Sequence, residues 1–229
     1  MHLPCYLLWR GREIVPYEWG VDSAAPVTES FFQCVVDHFG YPSYWGRYLT
    51  TVPNVSDGLT RQEIALLRGR GVKIWPIYNE FVDAIGYRNG RVAARNSIYH
   101  AQRLGIPEGI MLTANLEYAI DEAWIRGWVD AIYPSGYRPG LYGDPAEGDF
   151  STAYCQAVQN SNLVAAQAII WSNMPRPGVT RRAEAPAYRP SMPPCQANVW
   201  GWQYGWDDPT CNMPIDSNLI DSKLMQYLW

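Results

Sequence analysis

The sequence predicts an α/β fold, a single (β/α)8 barrel of the TIM type with one degenerate crossover between strands six and seven. Short β-type runs alternate with amphipathic helical stretches from Tyr17 onward, which favours parallel strands joined by helical crossovers. Eight such strands in 229 residues are typical of one barrel domain. An open doubly wound sheet is the alternative, but no GxGxxG or Walker-type loop follows the first strand.

The first half of the chain supplies four strands and four helices. β-type runs predict strands over residues 19–24, 44–49, 72–78 and 110–116. An apolar stripe predicts a helix over 28–39, and a capping box of Thr60 with Glu63 starts the second helix. The third helix spans 92–104 and closes at Gly105, and Asp121 is the predicted N-cap of the fourth.

The second half is less regular. It predicts strands over 140–143, 165–171, 200–206 and 213–215, with helices over 152–159 and 218–228. Residues 174–195 contain six prolines and four arginines where a crossover helix is expected. Long loops in compact domains are uncommon, so this one is interpreted either as a wall of a groove or as a solvated surface excursion. Residues 1–16 form an N-terminal extension.

The seventh predicted strand is unusually aromatic. Its period of two places one row of rings on one face, while Gly201, Gln203 and Gly205 take the other. The row comprises Trp200, Trp202, Tyr204 and Trp206. Such a row is typical of a strand that packs into a core, but flat rings near the carboxylate of Asp216 also suit a sugar.

Composition excludes some classes of function. The formal net charge of -4 gives no global positive field to hold phosphates, so nucleic acid is not an expected partner. No apolar run approaches the roughly 20 residues needed to span a bilayer. The first residues lack the cationic start of a secretion signal, so the chain is expected to be cytoplasmic or exported by another route.

Cysteine and histidine spacing gives no metal motif. The five cysteines, one of them Cys5, form no CxxC pair, and the closest spacing, Cys195 to Cys211, allows one disulfide among otherwise buried thiols. His2, His38 and His100 are scattered, so no zinc site and no cofactor are expected.

Polar residues at the predicted strand ends are the candidates for chemistry, because barrel enzymes place their active sites there. They are Asp22, Tyr78, Glu80, Asn115, Glu117 and Asp216. Asn115 and Glu117 are two positions apart and therefore point to the same side of their strand. Three carboxyl groups in one ring suit glycosidic bond cleavage, which needs a proton donor and a negative charge.

Several motifs resemble known families. Trp202-Gln203-Tyr204 and Ile215-Asp216-Ser217-Asn218 resemble the Trp-Gln-Tyr and Asp-Leu-Asn endings of glycoside hydrolase family 25 lysozymes. The middle of the chain resembles the bacterial glycoside-hydrolase-like family called domain of unknown function 1906, or Rv2525c-like. The motifs that carry this second resemblance are Gly20-Val21-Asp22-Ser23, Trp45-Gly46-Arg47-Tyr48-Leu49, Gly71 to Tyr78, and Leu104-Gly105-Ile106-Pro107.

The resemblance implies a (β/α)8 barrel that acts on, or binds, a cell-wall glycan such as peptidoglycan. By position it implies Glu117 as general acid, with Asp22 and Asp216 in the same pocket. The family's strand-four pattern has an aspartate where this chain has Asn115. Residues expected to bind substrate are Arg47, Tyr78, Glu80, Trp202, Gln203 and Tyr204.

Two functions remain open from the sequence. In both, the partner is a polysaccharide and the protein is expected to be a monomer. The first is a muramidase-like glycosidase. The second is a non-catalytic glycan-binding or assembly module that has lost activity through Asn115. An amide can replace a carboxylate that only orients a substrate acetamide, but not one that is a covalent nucleophile.

Overall fold

A computed structural model describes residues 17–117 and 119–229. Its strands are β1 (Tyr17–Asp22), β2 (Tyr44–Tyr48), β3 (Lys73–Tyr78), β4 (Met111–Asn115), β5 (Arg138–Gly143), β6 (Ile169–Asn173), β7 (Asn198–Asp208) and β8 (Ile215–Asp221). Its helices are α1 (Glu29–His38), α2 (Arg61–Gly69), α3 (Tyr87–Leu104), α4 (Glu122–Ile132), α5 (Phe150–Asn160) and α6 (Asn162–Gln167). Short 3-10 helices cover Tyr133–Ser135, Arg182–Glu184 and Ser222–Tyr227. The predicted extension 1–16, with His2 and Cys5, lies outside the described residues.

The eight strands close into a barrel in sequence order, with β1 beside β8. Neighbouring strands from β1 to β7 are parallel. β8 runs antiparallel to both β7 and β1. The predicted α/β barrel is therefore confirmed, with its last strand reversed. We call the end of the barrel at which β1 to β7 terminate the mouth.

The end of the chain differs from the prediction. The expected strand 213–215 and helix 218–228 are wrong, because β8 continues to Asp221 and only a 3-10 helix follows. Residues 209–214 alone join β7 to β8. Antiparallel strands can be joined by such a short connection, whereas parallel strands need a crossover of about a dozen residues or more. The reversal brings the amino end of β8 to the mouth.

Helix starts follow the predicted chemistry. At the start of α2, the Thr60 hydroxyl accepts a hydrogen bond from the Glu63 N–H, and the Glu63 carboxylate accepts one from the Thr60 N–H. At the start of α4, the Asp121 side chain accepts a hydrogen bond from the Trp124 N–H. The sixth strand starts later than residue 165, since 162–167 form α6. The predicted caps thus satisfy N–H groups that a helix start leaves without a backbone partner.

Residues 174–197 cover the barrel between β6 and β7, where the prediction placed a degenerate crossover. Two rings of the aromatic row, Trp202 and Tyr204, pack beneath this segment, whereas Trp206 is exposed. Trp202 is 2 % exposed, donates from its indole N–H to the Met174 carbonyl at 3.1 Å, and meets the Tyr188 ring edge-on. The Tyr204 hydroxyl lies 3.0 Å from that of Thr180. These rings replace the apolar face of the missing helix.

The barrel interior is filled by aromatic side chains. Trp75 and Trp171 stack with ring centres 4.0 Å apart, and Tyr142 meets Trp171 edge-on. A Cβ atom at Gly201 would lie 2.6 Å from the Trp75 ring, so glycine at this position makes room for the stack. The interior is therefore a packed core, and a ligand has access only at an end.

The described part of the chain contains two disulfides, where the sequence suggested one. Cys34 is bonded to Cys211, and Cys155 to Cys195. The possible Cys195–Cys211 pair does not form, because the two cysteines flank the full length of β7. An 11-residue strand spans roughly 36 Å, far beyond the reach of a disulfide.

Among the described residues, no helix is both long enough and apolar enough to cross a lipid bilayer.

Candidate functional site

Three carboxyl groups meet in a cleft at the mouth. Asp22 ends β1, Glu117 follows β4, and Asp216 is the second residue of β8. Because β8 is reversed, Asp216 lies directly opposite Asp22 in the strand register. The cleft has a volume of about 500 Å³, and its walls include Ser23, Tyr48, residues 51–57, Asp207 and Pro214. The structure thus brings together the three carboxyls proposed from the sequence.

Asp22 and Asp216 are held by amide side chains from the neighbouring strands. The Gln203 amide donates to Asp22 at 3.2 Å and to Asp216 at 3.0 Å. The Asn218 amide donates to Asp22 at 2.6 Å. The backbone N–H of Asp207 donates to Asp216 at 2.7 Å. This network fixes both carboxyl groups at the floor of the cleft.

The pKa values of the two buried aspartates are both raised. Burial raises the pKa of Asp22 to about 6, against the lowering effect of its hydrogen bonds with Asn218 and Gln203. Burial, and then the negative charge of Asp22, raise the pKa of Asp216 to about 9. Two buried carboxyl groups this close do not both ionise readily, so at neutral pH the pair is expected to hold one proton and to carry one negative charge.

Glu117 is exposed in the cleft, and Asn115 holds it. The buried Asn115 amide donates to the Glu117 carboxylate at 2.8 Å. Glu117 also lines a side cavity of about 240 Å³, which continues beyond it between Leu116 and Asn173. The carboxyl of Glu117 therefore lies between two hollows, with Asn115 as its support.

Two tyrosines that the sequence did not single out belong to this site. Tyr48 lines the cleft, and burial followed by the charges of Asp22 and Glu117 raises the pKa of its hydroxyl far above the usual range. The Tyr142 hydroxyl donates to the Gln203 carbonyl oxygen at 2.6 Å, which orients the amide toward the aspartates. Strand alternation could have found Tyr48, since it lies two positions after the inward-facing Gly46.

Asn218 and Asp207 were also missed. Asn218 lies two positions after Asp216, so the same period of two predicts its inward orientation. Asp207 contributes a backbone N–H and takes a φ of 57°, in the left-handed region that aspartate tolerates. A backbone role of this kind leaves no mark in the sequence.

Arg47, Trp202 and Tyr204 do not face the cleft. Arg47 is 0 % exposed and forms a 2.8 Å ion pair with Glu63 of α2. It also donates to the carbonyls of Ser23 and Asp57, two residues of the cleft wall. Alternation along β2 turns Arg47 outward where Tyr48 turns inward. Arg47, Trp202 and Tyr204, which were expected to bind substrate, therefore lie behind the cleft and support its wall. Of the Trp-Gln-Tyr motif, only Gln203 reaches the site.

Tyr78 and Glu80 also lie away from the cleft. The Tyr78 ring packs between β3 and the helices, near Trp128 and Phe81. Glu80 lies 3.9 Å from His100 on α3. The side chain of Tyr78 faces outward because the inward positions of β3 are those of Trp75 and Ile77.

One group of potential metal ligands occurs among the described residues, formed by Cys34, His38 and Cys211. The two sulfur atoms are bonded to each other, so neither is a thiolate that can bind a metal. The His38 ring nitrogen lies 3.0 Å from the Cys34 carbonyl oxygen. In this structure the cluster joins α1 to the β7–β8 connection.

Comparison with known proteins places the chain in a family. The model of the Rv2525c-like, glycoside hydrolase-like domain matches residues 40–203. A crystal structure of an uncharacterized B. stearothermophilus protein is 57% identical, covers 93% of this chain and 100% of its own, and has a TM-score of 0.90. No functionally curated protein gives a significant match.

More distant solved structures share the fold. A family 25 glycosyl hydrolase from Bacillus anthracis has a TM-score of 0.56 at 12% identity, covering 91% of this chain and 92% of its own. The modular autolysin LytC from Streptococcus pneumoniae, solved with a synthetic peptidoglycan ligand, also has a TM-score of 0.56 at 12% identity. That match covers 89% of this chain and 46% of LytC. The chain belongs to the family of Rv2525c-like, glycoside hydrolase-like domains.

Proposed function

We propose that this protein binds an N-acetylated polysaccharide of the peptidoglycan class in the cleft and hydrolyses one of its glycosidic bonds. The observation that carries the proposal is the convergence of Asp22, Glu117 and Asp216 on one hollow at the barrel mouth. Glycosidic cleavage requires a proton donor at the leaving oxygen and a negative charge near the reacting carbon. The cleft holds groups for both tasks.

The three carboxyls take different roles because their surroundings differ. Glu117 is the exposed group, so its oxygen can reach a glycosidic oxygen as general acid. Asp22, ionised at neutral pH, supplies the negative charge near the oxocarbenium-like centre. The amides of Gln203 and Asn218 orient Asp22.

Hollows on both sides of Glu117 fit cleavage within a chain. The cleft and the side cavity both include Glu117, so sugars before and after the broken bond have separate places. The peptidoglycan ligand of LytC supports the choice of polymer, since that autolysin shares this fold. Two disulfides are typical of proteins in oxidising surroundings outside the cytoplasm.

Asn115 restricts the mechanism. Its amide cannot attack an anomeric carbon, so hydrolysis would proceed through the substrate's own acetamide or through water. In either route Asn115 keeps Glu117 in place through its 2.8 Å hydrogen bond. An N-acetylated sugar is therefore the substrate class that suits this site.

Release of reducing ends from purified peptidoglycan tests the proposal. We expect product from the wild-type protein and a loss of about 10²- to 10⁴-fold in rate for Glu117→Gln, because a general acid contributes that much. Glu184→Gln, an exposed carboxylate on the 174–197 segment, is the matched control and should retain wild-type activity. Equal rates for the wild-type and Glu117→Gln proteins would exclude Glu117 as the acid.

Asn115 also favours a second candidate, a glycan-binding module without catalysis. The same assay separates the two functions when retention on insoluble peptidoglycan is measured in parallel. Retention of the wild-type protein without any product would support the binding module. Absence of both retention and product would contradict both functions.

A further inference from the structure

A second cavity adjoins the cleft and has the opposite charge. It has a volume of about 480 Å³ and lies between the β2–α2 connection and the end of α3. Thr51 belongs to the walls of both hollows, so the two are neighbours. We call it the basic cavity, after the polar residues in its wall: Thr50, Thr51, Arg61, His100, Arg103 and the single carboxylate Glu80.

The two arginines of the basic cavity have no carboxylate partner in the part of the chain that the structure describes. Within residues 17–117 and 119–229, neither Arg61 nor Arg103 forms an ion pair. Glu80 lies 3.9 Å from His100 instead. Arg103 packs its guanidinium 5.6 Å from the centre of the Tyr99 ring, which limits its freedom. Two guanidinium groups in one hollow are suited to bidentate binding of a carboxylate or phosphate.

The neighbouring cleft rejects the same kind of group. Asp22, Asp57, Glu117 and Asp207 line it, and the chain as a whole has a formal charge of -4. A negatively charged substituent on a bound glycan would be repelled from the cleft and attracted to the adjacent arginines. The charge pattern therefore separates an uncharged sugar backbone from its acidic side group.

We propose that the basic cavity binds an oxyanion, a carboxylate or a phosphate, carried as a side group by the glycan that occupies the cleft. This inference rests on the proposed function and names its substrate more closely, as an acidic rather than a neutral N-acetylated glycan. Arg61 and Arg103 supply the guanidinium groups. The sources of the oxyanion are the carboxylates of a peptide substituent and the phosphates of an attached polymer.

Binding measured by calorimetry with three glycans of equal length tests this inference. One is neutral, one carries a carboxylate-bearing peptide, and one carries a phosphate ester. For at least one charged glycan we expect about tenfold tighter binding than for the neutral glycan. The glycan that binds more tightly identifies the source of the oxyanion.

Arginine variants then locate the effect. In the Arg61→Gln/Arg103→Gln double variant the preference for the charged glycan should disappear, with neutral binding unchanged. Arg95→Gln, an exposed arginine elsewhere on α3, is the matched control and should keep the preference.

The outcomes distinguish this inference from the proposed function. Equal affinity of the wild-type protein for all three glycans would overturn the proposal that the basic cavity binds an oxyanion, while the cleft would remain a glycan site. A preference that persists in the double variant would also overturn it. Failure of the wild-type protein to bind any of the three would overturn both proposals. Thermal denaturation of each variant excludes misfolding as the cause of a loss.

Discussion

At the scale of residues, the Asp22–Asp216 pair defines the electrostatics of the mouth. Each aspartate is held in the barrel wall, and the Gln203 amide bridges them. Tyr142 fixes the orientation of that amide through its carbonyl oxygen. The pair can lower its cost of burial by holding one proton, which leaves a single charge where a positive centre would form in a reacting sugar.

This pair makes stability depend on pH. Both folded pKa values lie above the ordinary aspartate value of about 3.9. The stabilisation from these protons is therefore complete below about pH 4, and it is lost as the pH rises through about 6 for Asp22 and about 9 for Asp216. Each group contributes a slope of at most about 1.4 kcal/mol per pH unit.

Asp216→Asn should flatten this dependence. Asparagine keeps the shape of the protonated side chain and cannot ionise, so the free energy of unfolding should fall less between pH 5 and pH 9 than in the wild type. Urea denaturation at several pH values measures it. Asp83→Asn, which alters an exposed aspartate, should follow the wild-type curve. If the free energy of unfolding declines equally with pH in Asp216→Asn and in the wild type, the raised pKa of Asp216 is contradicted.

At the scale of elements, the β7–β8 connection couples stability to the site. Cys211 lies in this connection and is bonded to Cys34 on α1, while Asp207, at the end of β7, donates to Asp216. The second disulfide, Cys155–Cys195, joins α5 to the segment before β7 and lies away from the cleft. One disulfide therefore lies next to the site and the other lies away from it, so each can serve as the control for the other.

Removing each disulfide should separate stability from function. Cys34→Ser/Cys211→Ser and Cys155→Ser/Cys195→Ser should each lower the free energy of unfolding, typically by about 2–4 kcal/mol. Only the first should also weaken glycan binding at temperatures where both variants are folded, because it frees the connection that positions Asp216. Equal glycan affinity in the two variants would show that the connection does not need its disulfide.

The elements also show what the sequence can reveal. Thr60 and Glu63 predicted the start of α2 because a capping box is a local interaction. Strand alternation correctly placed Gln203 and Trp202 on opposite faces of β7, but it could not tell which face points into the barrel. Trp202 was predicted to contact sugar and instead packs under the 174–197 segment. Which face is covered depends on a distant part of the chain.

At the scale of the whole molecule, the packed core and the candidate site occupy different levels along the barrel axis. Aromatic rings around Trp75 and Trp171 fill the interior, and the carboxyls collect at the mouth. The alternation of strands and helices was sufficient to predict the barrel. The reversal of β8 was not predictable, since a period of two is the same in either direction. Asp216 nevertheless reached the predicted place, because the reversed strand starts where a parallel one would have ended.

The central claim is that Asp22, Glu117 and Asp216 surround the bond of an N-acetylated glycan. A crystal structure of the Glu117→Gln variant with an N-acetylated tetrasaccharide tests it most directly. We expect a glycosidic oxygen within about 3 Å of the substituted side chain at position 117 and the anomeric carbon facing Asp22. An oligosaccharide bound at full occupancy elsewhere on the molecule, with the cleft empty, would contradict the account.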